Sequence, residues 1–340
     1  MTGGPSQACA TLSVAVAIRA SPAAERWAPA GRGPEGAARP CPKAMRVHLV
    51  DGTFELFRAH YSKRPRHRAP AGFEATATVG LASSLLGLLN EEGEAVTHLA
   101  VAFDNPIRSF RNDLWPGYKT EQGVPAELLA QFDAAEAATR ALGVTVWSMR
   151  EYEADDALAT GAARFREVAE QVRILTPDKD LGQCLSGRKV VQVDRVRRRV
   201  IDEEELLARR GIRPLSVPDY LALVGDEADG IPGLAGFGAA TASALLARCL
   251  HLESVPEDPA AWPASIRGAA RLARTLALER EAALLYRRLA TLVTDVPLAE
   301  SLEDLRFRGL PRGRFEAWSE ELGAPALLAA ARSLARWDAG

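Results

Sequence analysis

Short apolar, β-rich runs in this chain end on carboxylates, and that placement constrains the fold more than any other feature. VHLV runs into Asp51-Gly52, HLAVAF into Asp104, and VRILTP into Asp178-Lys179-Asp180. Glu153, Asp155 and Asp156 open an Ala-rich helical stretch, and Asp226 and Asp229 form a fifth acidic island. Open parallel sheets gather their chemistry at the carboxyl ends of strands, so neighbouring strands of this kind bring their acids together. Two such charges about 4 Å apart repel by roughly 4 kcal/mol at an effective dielectric near 20. A cluster of them needs cations, and divalent metal is the natural neutraliser.

The chain has 340 residues, 47% of them hydrophobic, enough for one large or two modest globular domains. A formal net charge of -2 names no partner and argues neither for nor against nucleic acid. Cys9, Cys41, Cys184 and Cys249 form no C-x-x-C pair, which disfavours a thiolate metal site or a disulfide framework and fits a reducing compartment. No apolar run approaches the roughly 20 residues of a membrane span. ATLSVAVAIRA is short and has no basic residue before it, so it makes a poor export signal.

Residues 1–44 are rich in Ala, Gly, Pro and Arg, lack periodicity and carry five basic against two acidic residues. They read as a disordered extension, with Met45 as the biological start and a targeting peptide as the minor alternative. From there strands are expected at Arg46–Val50, His98–Phe103, Val144–Trp147, Val172–Leu175 and Val190–Val193. Helices are expected at about Ala75–Glu91, Ala126–Leu142 and Ala154–Ala169. This alternation predicts a doubly wound α/β domain with a mainly parallel sheet over 45–201. Residues 202–335, punctuated by Pro214, Pro218, Pro232, Pro256, Pro259 and Pro263, read as mostly helical.

Acids at a helix N-terminus favour the macrodipole by some 0.3–1 kcal/mol each, which accounts for one or two of Glu153, Asp155 and Asp156 but not for the whole pattern. Hard oxygen ligands suit Mg²⁺ or Mn²⁺, and two such ions would activate a water and stabilise the leaving oxygen of a phosphate displacement. His48, His60, His67, His98 and His251 are scattered without ligand spacing. A calcium loop starting at Asp226 would need a glutamate where this chain has Phe237. Gly233, Gly236 and Gly238 precede a helix carrying Thr241, a turn whose bare amides can approach a phosphate, although an ordinary helix–helix turn fits as well. Arg195, Arg197, Arg198 and Arg199 read as a solvated hairpin edge, with phosphate tracking as the alternative. Trp147 and Trp262 read as core, and Trp115 as a candidate stacking platform.

Together these pieces resemble the 5′→3′ exonuclease and flap endonuclease family, which includes the N-terminal nuclease domain of bacterial DNA polymerase I. In order they are VDG at Asp51, FD at Asp104, SFRNDLWPGYK at Ser109–Lys119 and YEADD at Tyr152–Asp156. LTPDKDLGQ at Leu175–Gln183, GDEADGIPGLAGFG at Gly225–Gly238 and a weaker TDVPL at Thr294–Leu298 complete the series, which spans about residues 45–335. The resemblance implies a PIN-like sheet domain, an arch at about 105–127, and a helix-hairpin-helix (helix-three-turn-helix) motif in the helical region. It implies Asp51, Asp104, Glu153 and Asp155 around a first metal, Asp178, Asp180, Asp226 and Asp229 at a second, and Asp156 in either shell. Lys119 and Arg111 would be catalytic in the arch, and Arg58, Tyr118, Gly233, Gly236, Gly238 and Thr241 would bind DNA. A K⁺ ion at the hairpin turn is a further option.

The implied protein is a monomeric, cytoplasmic, nucleoid-associated and free-standing nuclease with two Mg²⁺ or Mn²⁺ ions. It would cut DNA at single-strand/double-strand junctions or 5′ flaps, or RNA–DNA hybrids, and touch no membrane. Three positions depart from the family: Gln122 stands where a second arch cation is usual, Ala240 where the hairpin lysine is usual, and Gly230 where asparagine is frequent. A PIN-like single-strand ribonuclease and a junction-binding protein with weakened catalysis are the rival readings.

Overall fold

The computed structural model describes residues 45–333; the expected disorder of residues 1–44 lies outside the described residues. In chain order the elements begin with β1 (Arg46–Asp51), α1 (Gly52–His60), α2 (Thr76–Asn90), β2 (His98–Asp104) and α3 (Arg111–Leu114). Next come α4 (Ala126–Leu129), α5 (Phe132–Ala141), β3 (Thr145–Met149), α6 (Ala154–Phe165), β4 (Gln171–Leu175), β5 (Val190–Asp194) and β6 (Arg199–Ile201). The helical remainder is α7 (Glu203–Arg210), α8 (Val217–Val224), α9 (Ala239–Cys249), α10 (Ala269–Leu278), α11 (Arg280–Ala290), α12 (Arg312–Leu322) and α13 (Pro325–Arg332). None of the described helices is long and apolar enough to cross a membrane.

The sheet has the order β3-β2-β1-β4-β5-β6, parallel except for the final antiparallel hairpin. Its central strands are apolar on both faces because both faces are covered. On β2, Leu99, Val101 and Phe103 pack with α1, α2 and α5, whereas Ala100 and Ala102 pack with α6. The expected doubly wound, mainly parallel sheet is therefore present. A second core of Leu206, Leu221, Leu245, Leu246, Leu272 and Leu289 joins α7 to α11. Full burial of each such leucine stabilises by about 1.5–3 kcal/mol. Phe307, Phe315, Leu322 and Leu327, carried largely by α12 and α13, return to the α2–α5 side of the sheet.

Two expectations about helices are corrected, and one helix is new. The helix expected over Ala126–Leu142 is broken into α4 and α5. Gln131, 1% exposed, turns inward at the break, where its Oε1 accepts from the amides of Ala77 and Thr78 at 3.0 and 3.2 Å. It thus caps α2, whose own N-cap Ala75 has no side chain able to do so. The α6 helix stops at Phe165 rather than Ala169. The unanticipated α1 starts directly on Asp51, whose carboxylate accepts from Phe54 N at 2.8 Å. A side chain at Gly52 would put its Cβ 2.6 Å from Phe103 Cε1, so the strand-to-helix corner requires glycine.

Candidate metal centre and nucleic-acid interface

Parallel register brings the first group of acids together. Asp51 at the end of β1 lies beside Ala102 of β2, two residues before Asp104. The Asp51 Oδ2 accepts from Thr176 Oγ at 2.9 Å, and Asp104 Oδ1 accepts from Ala154 N at 2.7 Å, tying α6 to the strand end. Burial pushes the Asp51 carboxyl up to about 7, against its hydrogen bonds and with the help of Asp104 and Asp178. Burial likewise holds Asp155 well above the ordinary carboxylate value, reinforced by Asp178 and Asp51. Asp51, Asp104, Asp155 and Asp178 line one cleft of about 400 Å³, with Lys119 at its wall.

The second group is tighter. One carboxylate oxygen from each of Asp180, Asp226 and Asp229 lies within 4.8 Å of the other two. At that separation each ionised pair repels by roughly 3 kcal/mol at an effective dielectric near 20. Burial, then Asp178, Asp229 and Asp226, holds Asp180 well above the usual carboxylate value. Its Oδ1 is buried without a hydrogen-bond partner among the described residues. A converging set of hard oxygen donors with one such orphan fits a divalent cation better than it fits protein alone. Lysines supply part of the neutralising charge: Lys179 Nζ lies 2.8 Å from Asp226, and Lys119 Nζ bridges Asp229 at 2.9 Å and Glu153 at 3.0 Å. Although burial opposes it, the carboxylates of Glu153 and Asp229 raise the Lys119 ammonium well above its ordinary value.

The expected division of the acids changes in three places. Glu153, expected at the first metal, is held instead by Arg111, Tyr118 and Lys119. Asp178 lines the cleft with Asp51, Asp104 and Asp155 while also acting on Asp180, so it stands between the groups. Asp156 faces neither: fully buried, it pairs with Arg111 and accepts from the backbone amides of Glu153 and Val293. Adjacent helical residues differ by about 100° in direction, which is why Asp155 can face the cleft and Asp156 the protein interior.

Arg111, expected over the site, lies beneath it. The guanidinium, from a residue with 0% exposure, donates to Glu153 Oε2 at 2.7 Å, to both oxygens of Asp156 at 2.7 Å, and to the carbonyls of Leu289 and Thr291 at 2.7 and 2.9 Å. Every one of those bonds is to protein, so Arg111 positions Glu153 and joins α6 to the end of α11. Tyr118 is also buried, with its hydroxyl donating to Glu153 Oε2 at 2.8 Å, and burial raises its phenol above the ordinary value. Neither side chain is open to DNA. Arg58 is partly exposed but already donates to Glu55 and, at 2.9 Å, to Ser84, which also receives Arg195 at 2.9 Å.

The 105–127 segment is pinned down over the second acid group. Lys119 N donates to Asp229 O at 3.1 Å, and Trp115 Nε1 to Gly230 O at 3.1 Å, so Trp115 packs rather than standing free as a platform. At Gly230, φ is +72° and a Cβ would fall 1.9 Å from Gly117 O; glycine there permits the close approach of two chains. Gly233 serves a similar purpose, since its Cβ would meet Gly225 N at 2.4 Å, and it is a packing position rather than an open contact. Gly236 and Gly238 are exposed at the turn before α9, and Thr241 is half-buried in its first turn. Gln122 is exposed, and Arg108, the candidate substitute cation, pairs with Asp113 at 3.0 Å. Trp147 and Trp262 are buried, as expected. Residues not singled out from the sequence, Thr53, Thr176 and Lys179, orient Asp104, Asp51 and Asp226. Each lies within two residues of an acid, which is the signal that would have found them.

Two family models match the chain in tandem: the 5'-3' exonuclease N-terminal resolvase-like domain over residues 46–211 and the 5'-3' exonuclease C-terminal SAM fold over 212–312. DNA polymerase I of Bacillus caldotenax is 33% identical over 286 residues, covering 82% of this chain and 32% of that protein. The 5'-3' exonuclease of Aquifex aeolicus is 29% identical over 283 residues, covering 83% of this chain and 93% of that protein. The chain thus spans about a third of the polymerase relative and nearly all of the Aquifex one. Among solved structures, a T5 5'-exonuclease with bound zinc has a TM-score of 0.57 at 16% identity, covering 85% of this chain and 98% of that one. The catalytic core of Rad2 in complex with DNA substrate has a TM-score of 0.52 at 13% identity, covering 87% and 96%. These two share the fold.

Proposed function

The chain belongs to the 5'-3' exonuclease family, and from that premise we propose a divalent-metal-dependent 5′ nuclease that hydrolyses DNA phosphodiesters near single-strand/double-strand junctions. The observation that carries this reading is the meeting of the Asp180–Asp226–Asp229 group with the cleft lined by Asp51, Asp104, Asp155 and Asp178. Two cations, Mg²⁺ or Mn²⁺ by the hardness of the donors, supply an activated water and stabilise the leaving oxygen when bound. Asp51, Asp104 and Asp155 would hold one of them, and Asp180, Asp226 and Asp229 the other, with Asp178 available to either. Lys119 presents its ammonium at the cleft wall to a substrate phosphate. Glu153, held by Arg111 and Tyr118, keeps that ammonium beside the acids. The products are 5′-phosphate and 3′-hydroxyl ends.

The Rad2 core, in its solved complex, holds a DNA substrate; the corresponding partner here is DNA with a 5′ flap or nick, or an RNA–DNA hybrid, bound by a monomer. End-labelled flap, nicked, RNA-primed and single-stranded substrates, each with and without Mg²⁺, test reaction and polarity together. Asp178→Asn combined with Asp180→Asn is expected to abolish flap cleavage while leaving flap binding near the parent level. Unchanged cleavage by the double variant would sink the mechanism.

A further inference from the structure

Arg271, on the first turn of α10, sets its guanidinium on the exposed glycine turn. A Cβ built on Gly236 would fall 2.7 Å from Arg271 Nη1, 2.9 Å from Nη2 and 3.2 Å from Cζ, so the guanidinium lies against the bare Cα of the turn. Gly236 has φ +86°, and Gly236, Gly238, Ala239 and Ala240 are all exposed around it. The neighbouring Leu272 and Leu276 are buried in the helical core, which fixes the backbone from which Arg271 reaches out. Its side chain is exposed and forms no ion pair among the described residues, unlike Arg287, which is held by Asp219 and Glu253 at 3.2 and 2.6 Å.

We propose that Arg271 binds a phosphate of the duplex portion of the substrate at this turn, supplying from α10 the cation that the turn lacks at Ala240. The inference rests on the nuclease reading above. An unpaired guanidinium offers five N–H donors in a planar fork suited to one phosphate. Delivered from another helix rather than from within the turn, it reaches the same exposed surface. The geometry also adds a reason for glycine at 236 beyond its positive φ: any side chain there would displace Arg271.

The test uses the full chain and a fluorescein-labelled 5′-flap DNA, with equilibrium binding measured in EDTA over a range of salt. Arg271→Ala should weaken binding about tenfold and reduce the slope of log K against log salt by about 1. Adding Ala240→Lys to Arg271→Ala should restore most of both, because the cation returns to the same turn. An Arg271→Ala chain with parent affinity and slope overturns the inference, as does an Ala240→Lys addition that restores nothing. Thermal melting of each variant separates lost binding from lost folding, and a cleavage KM raised in step with the binding constant is the expected enzymatic counterpart. A parent chain that neither binds nor cuts the flap in Mg²⁺ overturns the nuclease reading along with this one; a parent that does both, beside an unchanged Arg271→Ala, overturns this inference alone.

Discussion

Replacing Arg111 by methionine keeps much of the side-chain volume and removes the charge on which two buried carboxylates depend. Asp156, with 0% exposure, would lose both of its guanidinium contacts, and Glu153 would lose one of the groups that hold it. The carbonyls of Leu289 and Thr291 would lose their side-chain donors as well. Removing one partner of a buried ion pair costs about 3–5 kcal/mol, because the other charge remains where water cannot reach it. That is a large part of the roughly 5–15 kcal/mol by which folded proteins are stable. At about 1.6 °C per kcal/mol for a chain larger than about 250 residues, the melting temperature should fall by roughly 5–8 °C. Calorimetry gives the shift, and a cycle with Asp156→Asn gives the coupling. In the Arg111→Met background, Asp156→Asn removes the stranded charge and should recover part of the loss. An Arg111→Met chain that melts within about 2 °C of the parent yet fails to cut the flap would refute the reasoning. It would mean that the guanidinium acts on substrate instead of beneath the site.

Gly230→Ala should destabilise the chain by about 2–4 kcal/mol, through left-handed backbone strain and collision with a carbonyl. The affected contact is with Gly117 O, 1.9 Å from the new Cβ, so urea unfolding should show the loss and flap cleavage should drop as Lys119 shifts. The acids of the site predict a pH dependence of opposite sign to that of an ordinary salt-bridged carboxylate. Burial raises Asp51 to about 7 in the folded chain, so the native state binds this proton more tightly than the unfolded one. Its contribution is present in full below the unfolded value near 3.9 and is lost as pH rises towards 7. Since Mg²⁺ competes with that proton, the gain in melting temperature from adding Mg²⁺ over EDTA should be larger at about pH 8 than at about pH 5. An equal gain at both would count against Asp51 as a ligand.

The acids at strand ends were legible because a parallel strand must finish at the same edge of the sheet as its neighbours. VHLV and HLAVAF therefore carried Asp51 and Asp104 to one rim whatever the connecting segments did. The glycine turn and the mostly helical character of the region around it were legible for a similar reason, since they depend on neighbours only a few residues away. The break at Ala130-Gln131 was not, because Gln131 answers to the amides of α2, more than 50 residues earlier. A helix pattern contains no trace of such a partner.

The site divides along the same line. Residue order alone brought Asp51, Asp104 and Asp178 to the carboxyl edge of the parallel strands. Only the tertiary structure decided which of Asp155 and Asp156 faces the cleft, that Arg111 lies under the acids, and that Arg271 comes to rest on Gly236. Those outcomes turn on contacts between distant segments, such as Arg111 with Leu289 and Thr291, across 178 and 180 residues. Local propensity acts over a few residues and can bring an acid to a strand end; the direction in which an arginine points is settled by whichever buried oxygens the rest of the chain leaves without a donor.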